Sequence, residues 1–277
     1  MAHCYSQEAE AILDKEFPVL NKGFVRLVDY LGNDSRIVQS ARVSYGEGTK
    51  TIREDKGLIS YLLRNQHTSP FEQVVFTFHI KLPIFVARQM IRHRTARLNE
   101  ISGRYSIMKD EFYLPQASDV AYQSSNNKQG RSTQEVPANT VSKVINLLEA
   151  EQKSIYDNYQ TLLGEDIARE LARINLPLSL YTEWYWQVDL HNLFHFLKLR
   201  MDSHAQKEIR DYANVMFDIA KKVVPFACEA FEDYIVGGKL FSQSEIKAIN
   251  EILDGKEISL EGRKKEIFLE KLGKKSN

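Results

Sequence analysis

Arg88, Arg92, Arg94, Arg97 and Arg104, with His93 among them, crowd one short stretch of the chain in which Glu100 is the nearby acid. A guanidinium is a planar fork of donors that matches a phosphate or a pair of carbonyl oxygens. Ser102 and the amides around Gly103 could complete a phosphate-binding nest, because glycine lets a ligand approach the backbone closely. Ile84, Phe85, Val86, Ala87, Met90 and Ile91 surround most of the circumference of a helix opened by Pro83, which predicts a mostly buried element. On it Arg88 and Arg92 are i, i+4 neighbours, as are Gln89 and His93. Cations buried there need a partner, and a bound anion is the natural one. The alternative is a salt-bridged surface helix.

Other residues offer weaker chemistry. Glu170 and Arg173 stand i, i+3, the spacing of an ordinary helix ion pair. Arg200, within Leu199-Arg200-Met201-Asp202, is expected to cap a helix or pair with Asp202 when read in isolation. His191 and His195 have the i, i+4 spacing of helical metal ligands, but Asn192 stands where a metalloprotease carries glutamate and no third ligand is evident, so no metal is expected. His67, close to Pro70 in a loop, reads as either a surface or a core histidine. Ser102 lacks both a local histidine and acid and a Gly-x-Ser-x-Gly elbow, which favours a polar contact over a nucleophile. Neither a dinucleotide fingerprint nor a phosphate-loop lysine motif occurs. Cys4 and Cys228 make no disulfide framework and no metal set, and a reducing compartment is the simpler assumption.

These side chains need elements to hold them. Phe24 to Tyr30 reads as a strand, and Asn33-Asp34-Ser35 caps a helix carrying Ile37, Val38 and Ala41. Glu54 to Gln66 reads as a second helix ending before the turn at Pro70. From Val75 to Leu82 the alternation is strict, with Phe76, Phe78, Ile80 and Leu82 on one face. Gln116 to Asn139, rich in Ser, Asn and Gln and including Asn126-Asn127-Lys128-Gln129-Gly130, reads as a mobile loop. Helices are expected from Val141 to Leu163 and from Asp166 to Asn175, the second stopped by Pro177. A strand from Leu180 to Val188 precedes the helical stripe Leu190, Leu193, Phe194 and Leu197. Ser203 with Gln206 resembles a capping box for a helix running to Val224. Beyond Gly237-Gly238 the chain is rich in Lys and Glu, with helical periodicity over Glu245 to Leu253 and again near the end.

The class that follows is α+β: a single mixed domain over 1–238, with a mainly antiparallel sheet packed by helices, and a charged C-terminal extension over 239–277, helical or partly disordered. The 277 residues carry 37 basic and 37 acidic side chains. That balance argues against a nucleic acid backbone as the main partner, including a basic-helix module built on Arg88 to Arg104. No apolar run approaches a bilayer span and the start lacks a secretory pattern, so a cytoplasmic protein without a membrane partner is expected.

The sequence resembles the flavin-dependent thymidylate synthase family, whose hallmark is Arg-His-Arg, seven residues, then Ser, here Arg92-His93-Arg94 to Ser102. The resemblance runs from Gly23 to Gly237. It includes Ala41-Arg42-Val43-Ser44, His67 through Glu72, Phe85 to Gln89, Asn99 to Tyr105, Leu176-Pro177 and Arg200 through Ile209. It implies methylation of dUMP to dTMP, with methylenetetrahydrofolate as one-carbon donor and NADPH reducing tightly held FAD. It further implies that Gln89, Met90, Ile91, Arg92, Glu100, Ile101, Ser102, Gly103, Arg104 and Arg173 hold dUMP, with the phosphate near Ser102, Arg104 and Arg173. Arg200 is implied to face and activate the uracil, in place of a cysteine nucleophile. FAD is implied to contact His67, Ser69, Arg92, His93, Arg94 and Glu100, with Asp189, Leu190, His191 and His195 as further contacts. Some relatives have Asn and Arg where this chain has Asp189 and His191, and Asn at His195. The resemblance also implies a homotetramer with active sites between subunits.

Overall fold

The structure, a computed structural model, describes residues 4–43, 52–125 and 130–274. Ser44 of the Ala41-to-Ser44 block and Asn126 to Gln129 of the polar loop lie outside the described residues.

Among the described residues five strands pair antiparallel in the order β1-β2-β3-β5-β4: β1 (Glu16–Val19), β2 (Gly23–Leu31), β3 (Val75–Pro83), β4 (Arg97–Glu100) and β5 (Tyr181–Asp189). The alternation expected along β3 places Phe76, Phe78, Ile80 and Leu82 in the core, fully buried. Across the β3–β5 register Phe76 meets Val188, Phe78 meets Trp186 and Ile80 meets Trp184, so one sheet face is continuously apolar. Two strands are absent from the sequence reading. β1 is short, contains Pro18 and lies at an edge, where a missing N–H is tolerated. β4 is exposed at every position and shows no apolar alternation; its pairing with β5 defines it.

The helices are α1 (Gln7–Glu10), α2 (Asp34–Arg42), α3 (Ile52–Arg64), α4 (Ile84–Met90), α5 (Ala138–Gly164), α6 (Arg169–Ala172), α7 (Leu190–Arg200), α8 (Lys207–Val223), α9 (Pro225–Phe231), α10 (Gln243–Leu253) and α11 (Gly262–Lys271). The Asn33 side chain caps α2 by accepting from the Ser35 N–H, as its position implied. α8 packs on β1 and β2, and α7 packs on β5 and α8, which closes the apolar sheet face.

Four expectations need correction. α4 ends at Met90, so Arg92 and His93 lie in the following turn and not on the helix; the chain must leave the helical path to reach β4. α4 buries Val86, Ala87 and Met90, as a mostly buried helix should, but Arg88, Arg92 and Arg94 are exposed in the protomer, so the expected burial of the cations fails. The segment expected to be helical from Asp166 contains only the single turn α6 and a 3-10 turn over Arg173–Asn175, because Asp166 takes a left-handed φ of 56°. Ser203 and Gln206 form no capping box: Gln206 is itself the N-cap of α8 and its side chain is used elsewhere. A capping box does occur, at Ser242 and Glu245 of α10.

The loop expected to be mobile is anchored where it is described. Gln123 bridges to Arg131, Asp119 pairs with Lys207 at 3.4 Å, and Arg131 donates to Glu208. By packing the chain divides into units Met1–Ala230 and Phe231–Asn277. The second unit has its own small core of Ala248, Leu260 and Phe268, joined by Phe241, Ile249 and Ile258.

Candidate functional site

β5 is the rail along which the site is assembled. β4 pairs with it from Glu100↔Trp184 to Arg97↔Gln187, which fixes the polar stretch that follows α4. α7 leaves β5 without a connecting loop: Asp189 ends the strand and caps the helix, its carboxylate accepting from the Asn192 backbone N–H at 2.9 Å and side-chain amide at 2.8 Å. Arg200 is the last residue of α7, and its Nε–H donates to His93 Nε2 at 3.1 Å. A second donor of its guanidinium meets the Gln89 carbonyl at 3.4 Å. The expected pairing of Arg200 with Asp202 is therefore not formed; Asp202 accepts instead from the His204 backbone and imidazole.

His93 stands edge-on to Phe196, with ring centroids 5.0 Å apart, and Phe196 stands on Trp186. Burial against this wall, then the charge of Arg200, then His195, push the His93 pKa down to about 4. The ring is neutral at physiological pH and accepts at Nε2, so its remaining proton is on Nδ1. Burial also lowers the Arg200 pKa from its ordinary value. No carboxylate pairs with Arg200 among the described residues.

Two cavities flank β4. One, of about 320 Å³, is lined by Arg92, His93, Arg94, Asn192, His195 and Arg200 over a floor of Trp186 and Val188. The other, of about 460 Å³, is lined by Glu100, Ile101, Gly103, Met108, Arg173 and Thr182, among others. They are separated along β5 by the stretch from Thr182 to Trp186, roughly 13 Å of strand. A third cavity, of about 970 Å³, holds His67 and Ser69 beside Arg42, Tyr61 and Thr68.

The residues implied for one nucleotide and one flavin are thus divided within the protomer. Arg200, Gln89 and the Arg92-to-Arg94 segment come together, as do Glu100, Ile101, Gly103 and Arg173, while His67 and Ser69 lie apart from both. Met90 and Leu190 are fully buried, which leaves only their backbone for any ligand. His191 lines none of these three cavities, and the Asp189 carboxylate is engaged in capping. Ile91 is exposed beside the turn.

Around the second cavity, Gly103 is buried and a Cβ there would meet Arg173 Cδ at 3.0 Å, so glycine is what allows the arginine to lie across the backbone. Ser102 Oγ accepts from the Arg104 N–H at 3.3 Å. Arg104 pairs with Glu170 at 3.0 Å, which replaces the Glu170–Arg173 pair suggested by spacing. Both partners are more than half exposed, so this pair is readily exchanged for another anion. Thr182, absent from the sequence reading, donates to Glu100 at 2.6 Å and sets its carboxylate. Asn192, Thr95 and Trp186 also line the first cavity and were not among the implied contacts; Thr95 and Asn192 adjoin Arg94 and His191, which were, while Trp186 enters through the inward phase of β5.

The family described as "Thymidylate synthase complementing protein" matches residues 26–226, and the one described as "Thymidylate synthase ThyX C-terminal domain" matches 240–277. A flavin-dependent thymidylate synthase of Treponema denticola is 68% identical over 94% of this chain and 98% of its own length. The chain belongs to the flavin-dependent thymidylate synthase family. A second such relative, from Treponema pallidum, is 56% identical over 98% of this chain and 89% of its own length. A solved structure described as the UMP/dUMP methylase PolB of Streptomyces cacaoi, bound with 5-Br UMP, superposes with a TM-score of 0.71 at 32% identity over 78% of this chain and 96% of that one. The family likeness extends to 240–277, which the motif blocks ending at Gly237 do not cover. No helix among the described residues is long and apolar enough to cross a membrane.

Proposed function

We propose that this enzyme methylates dUMP to dTMP reductively, taking the one-carbon unit from methylenetetrahydrofolate and reducing equivalents from NADPH through FAD. The observation that carries the reading is Arg200: a half-buried guanidinium held by a neutral imidazole and a backbone carbonyl, with no carboxylate among the described residues to quench it. A cation so placed favours the anionic form of a uracil ring brought against it, which raises electron density at the ring carbon that must attack the donor. No cysteine is needed for that step. Cys228 is buried in α9 and neither cysteine lines the three cavities.

The donor set fits FAD in chemistry. Arg92 and Arg94 line the first cavity with no side-chain partner among the described residues, as a diphosphate requires, and His93, His195 and Asn192 offer ring-edge contacts. His67, Ser69 and Glu100 complete the set, with Asp189, Leu190 and His191 as peripheral contacts. The chemistry FAD supplies when bound is the carriage of reducing equivalents from NADPH. Gln89 to Arg92, Glu100 to Arg104 and Arg173 bind dUMP, with the phosphate at Ser102, Arg104 and Arg173. The division of these residues between two cavities supports a homotetramer in which different subunits complete one site. We place this catalytic domain at 1–238, with 239–277 as a helical extension, in a cytoplasmic enzyme with no nucleic acid partner.

The test is direct. Purified protein should be yellow, bleach with NADPH and recover with oxygen or with both substrates. dTMP should form only when folate and NADPH are both supplied. A colourless protein that takes up no FAD overturns the reading.

A further inference from the structure

Glu208 is 1% exposed, lies in the first turn of α8 and touches none of the residues assigned to substrate or flavin. It is nevertheless two hydrogen bonds from the site. Its carboxylate accepts from the Tyr113 hydroxyl at 2.8 Å, from the Arg131 guanidinium, and from the Gln206 side-chain amide at 2.8 Å. Gln206 in turn accepts, at its own side-chain oxygen, from the Gln89 side-chain amide. Gln89 also presents its backbone carbonyl to Arg200.

The direction of this chain is set at one end. Burial alone would raise the Glu208 pKa, but the donors from Arg131, Tyr113 and Gln206 outweigh it and hold the group below its ordinary value. An ionised carboxylate only accepts, so Gln206 must turn its NH₂ toward Glu208 and its oxygen toward Gln89. Gln89 must then give its NH₂ to Gln206. What the relay then fixes on Gln89 is its side-chain oxygen, an acceptor turned away from Gln206, beside the second hydrogen of its NH₂.

We infer that Glu208, through Gln206, is a positioning residue that fixes the amide orientation of Gln89, so that Gln89 offers the pyrimidine nucleotide an acceptor for one of its N–H or O–H groups. The inference rests on the proposed assignment of Gln89 to dUMP. It also gives the 116–139 segment a role, since Arg131, which that segment carries, supplies the charge that keeps Glu208 ionised in a buried setting.

The experiment is a charge swap along the relay. In Glu208→Gln the relay loses its fixed direction, and dUMP affinity should fall about five- to tenfold, the worth of one hydrogen bond, with flavin content unchanged. In Gln206→Glu two carboxylates oppose each other and affinity should fall at least as far. The double variant Glu208→Gln, Gln206→Glu places the accepting group next to Gln89 directly, so Gln89 again donates its NH₂ and dUMP affinity should return to within about twofold of wild type. Arg131 and Tyr113 still lack their carboxylate in that protein, so a merely structural role for Glu208 predicts no rescue. KM for dUMP and kcat are measured together, and the expected change is in KM. Absence of rescue, or unchanged affinity in Glu208→Gln, overturns the inference. Wild-type protein that loads FAD but binds no dUMP overturns the functional assignment instead.

Discussion

Gly103→Ala tests whether the backbone of the second cavity positions Arg173 for a phosphate. A Cβ at residue 103 would stand 3.0 Å from Arg173 Cδ, 3.1 Å from Met108 Sδ and 3.3 Å from one Arg173 terminal nitrogen. Ordinary contact begins at about 3.5 Å, so the arginine must retreat by roughly half an ångström. Residue 103 is not among the glycines with positive φ, which removes backbone strain from the comparison. Arg173 is long and only partly buried, so the fold should absorb the change at about 1 kcal/mol, a fall in Tm of about 2–4 °C. Its guanidinium, however, leaves the place where a phosphate would be met. A hydrogen bond between charged groups is worth about 1.5–3 kcal/mol, and losing the lower part of that range weakens dUMP about tenfold. The assay is calorimetric titration of dUMP into wild type, Gly103→Ala, Arg173→Ala and the double variant. Because the alanine acts through the arginine, the double variant should bind no more weakly than Arg173→Ala alone. Additive losses, or full affinity in Gly103→Ala, would refute the role given to this contact.

Arg200→Ala should abolish dTMP formation while the protein still purifies with FAD; wild-type turnover in that variant disproves the activation role. Ser102→Ala should raise KM for dUMP yet leave measurable turnover, since a contact is lost and no covalent intermediate; complete loss with normal binding points to a nucleophile. The His93 imidazole should titrate near pH 4 in an NMR experiment on its ring nitrogens, and a midpoint near 6.5 contradicts the geometry. Because the folded pKa lies below the unfolded value of about 6.5, the unfolded chain takes up a proton first as pH falls. The stability contributed by neutral His93 is therefore present above about pH 6.5 and is lost as pH falls toward 4. Gly23→Ala should cost about 3 kcal/mol or more in thermal unfolding, because its Cβ would stand 2.0 Å from the buried Tyr212 hydroxyl, which donates to the Lys81 carbonyl at 2.7 Å; a Tm within 2 °C of wild type rejects that packing argument.

What the sequence made legible is what local periodicity encodes. β2, β3 and β5 were readable because apolar residues alternate along them, and α5, α7 and α8 because their stripes are long. β4 could not be read: Arg97-Leu98-Asn99-Glu100 is a strand only because β5 offers it a free edge. The same limit applied to the site. Arg92, His93 and Arg94 were visible as a cluster, but their link to Arg200 joins residues more than a hundred positions apart and depends on α4 stopping at Met90. Arg92 and Arg94 are exposed because apolar neighbours on a helix imply a buried face only while the helix continues, and Arg88, still on α4, takes its solvent side. Thr182 and Glu208 carried no local signal. Thr182 meets Glu100, and Glu208 meets Tyr113, only across elements that pairing and packing bring together.

The environment of Arg200 suits a cation that must act on a substrate. A carboxylate partner would stabilise it more strongly, but would also compete with an anionic ring for the same donors. The fold uses partial charges instead. Arg200 closes the C-terminal end of α7, and the carbonyl it meets belongs to Gln89 in the last turn of α4, so two helix ends, each carrying fractional negative charge, converge on one guanidinium. His93 adds a third partial charge through a lone pair, and burial keeps it neutral. A guanidinium held in this way keeps its charge and is oriented by two hydrogen bonds. It still gains most from a developing anion, which is the differential interaction that lowers a barrier rather than only tightening binding.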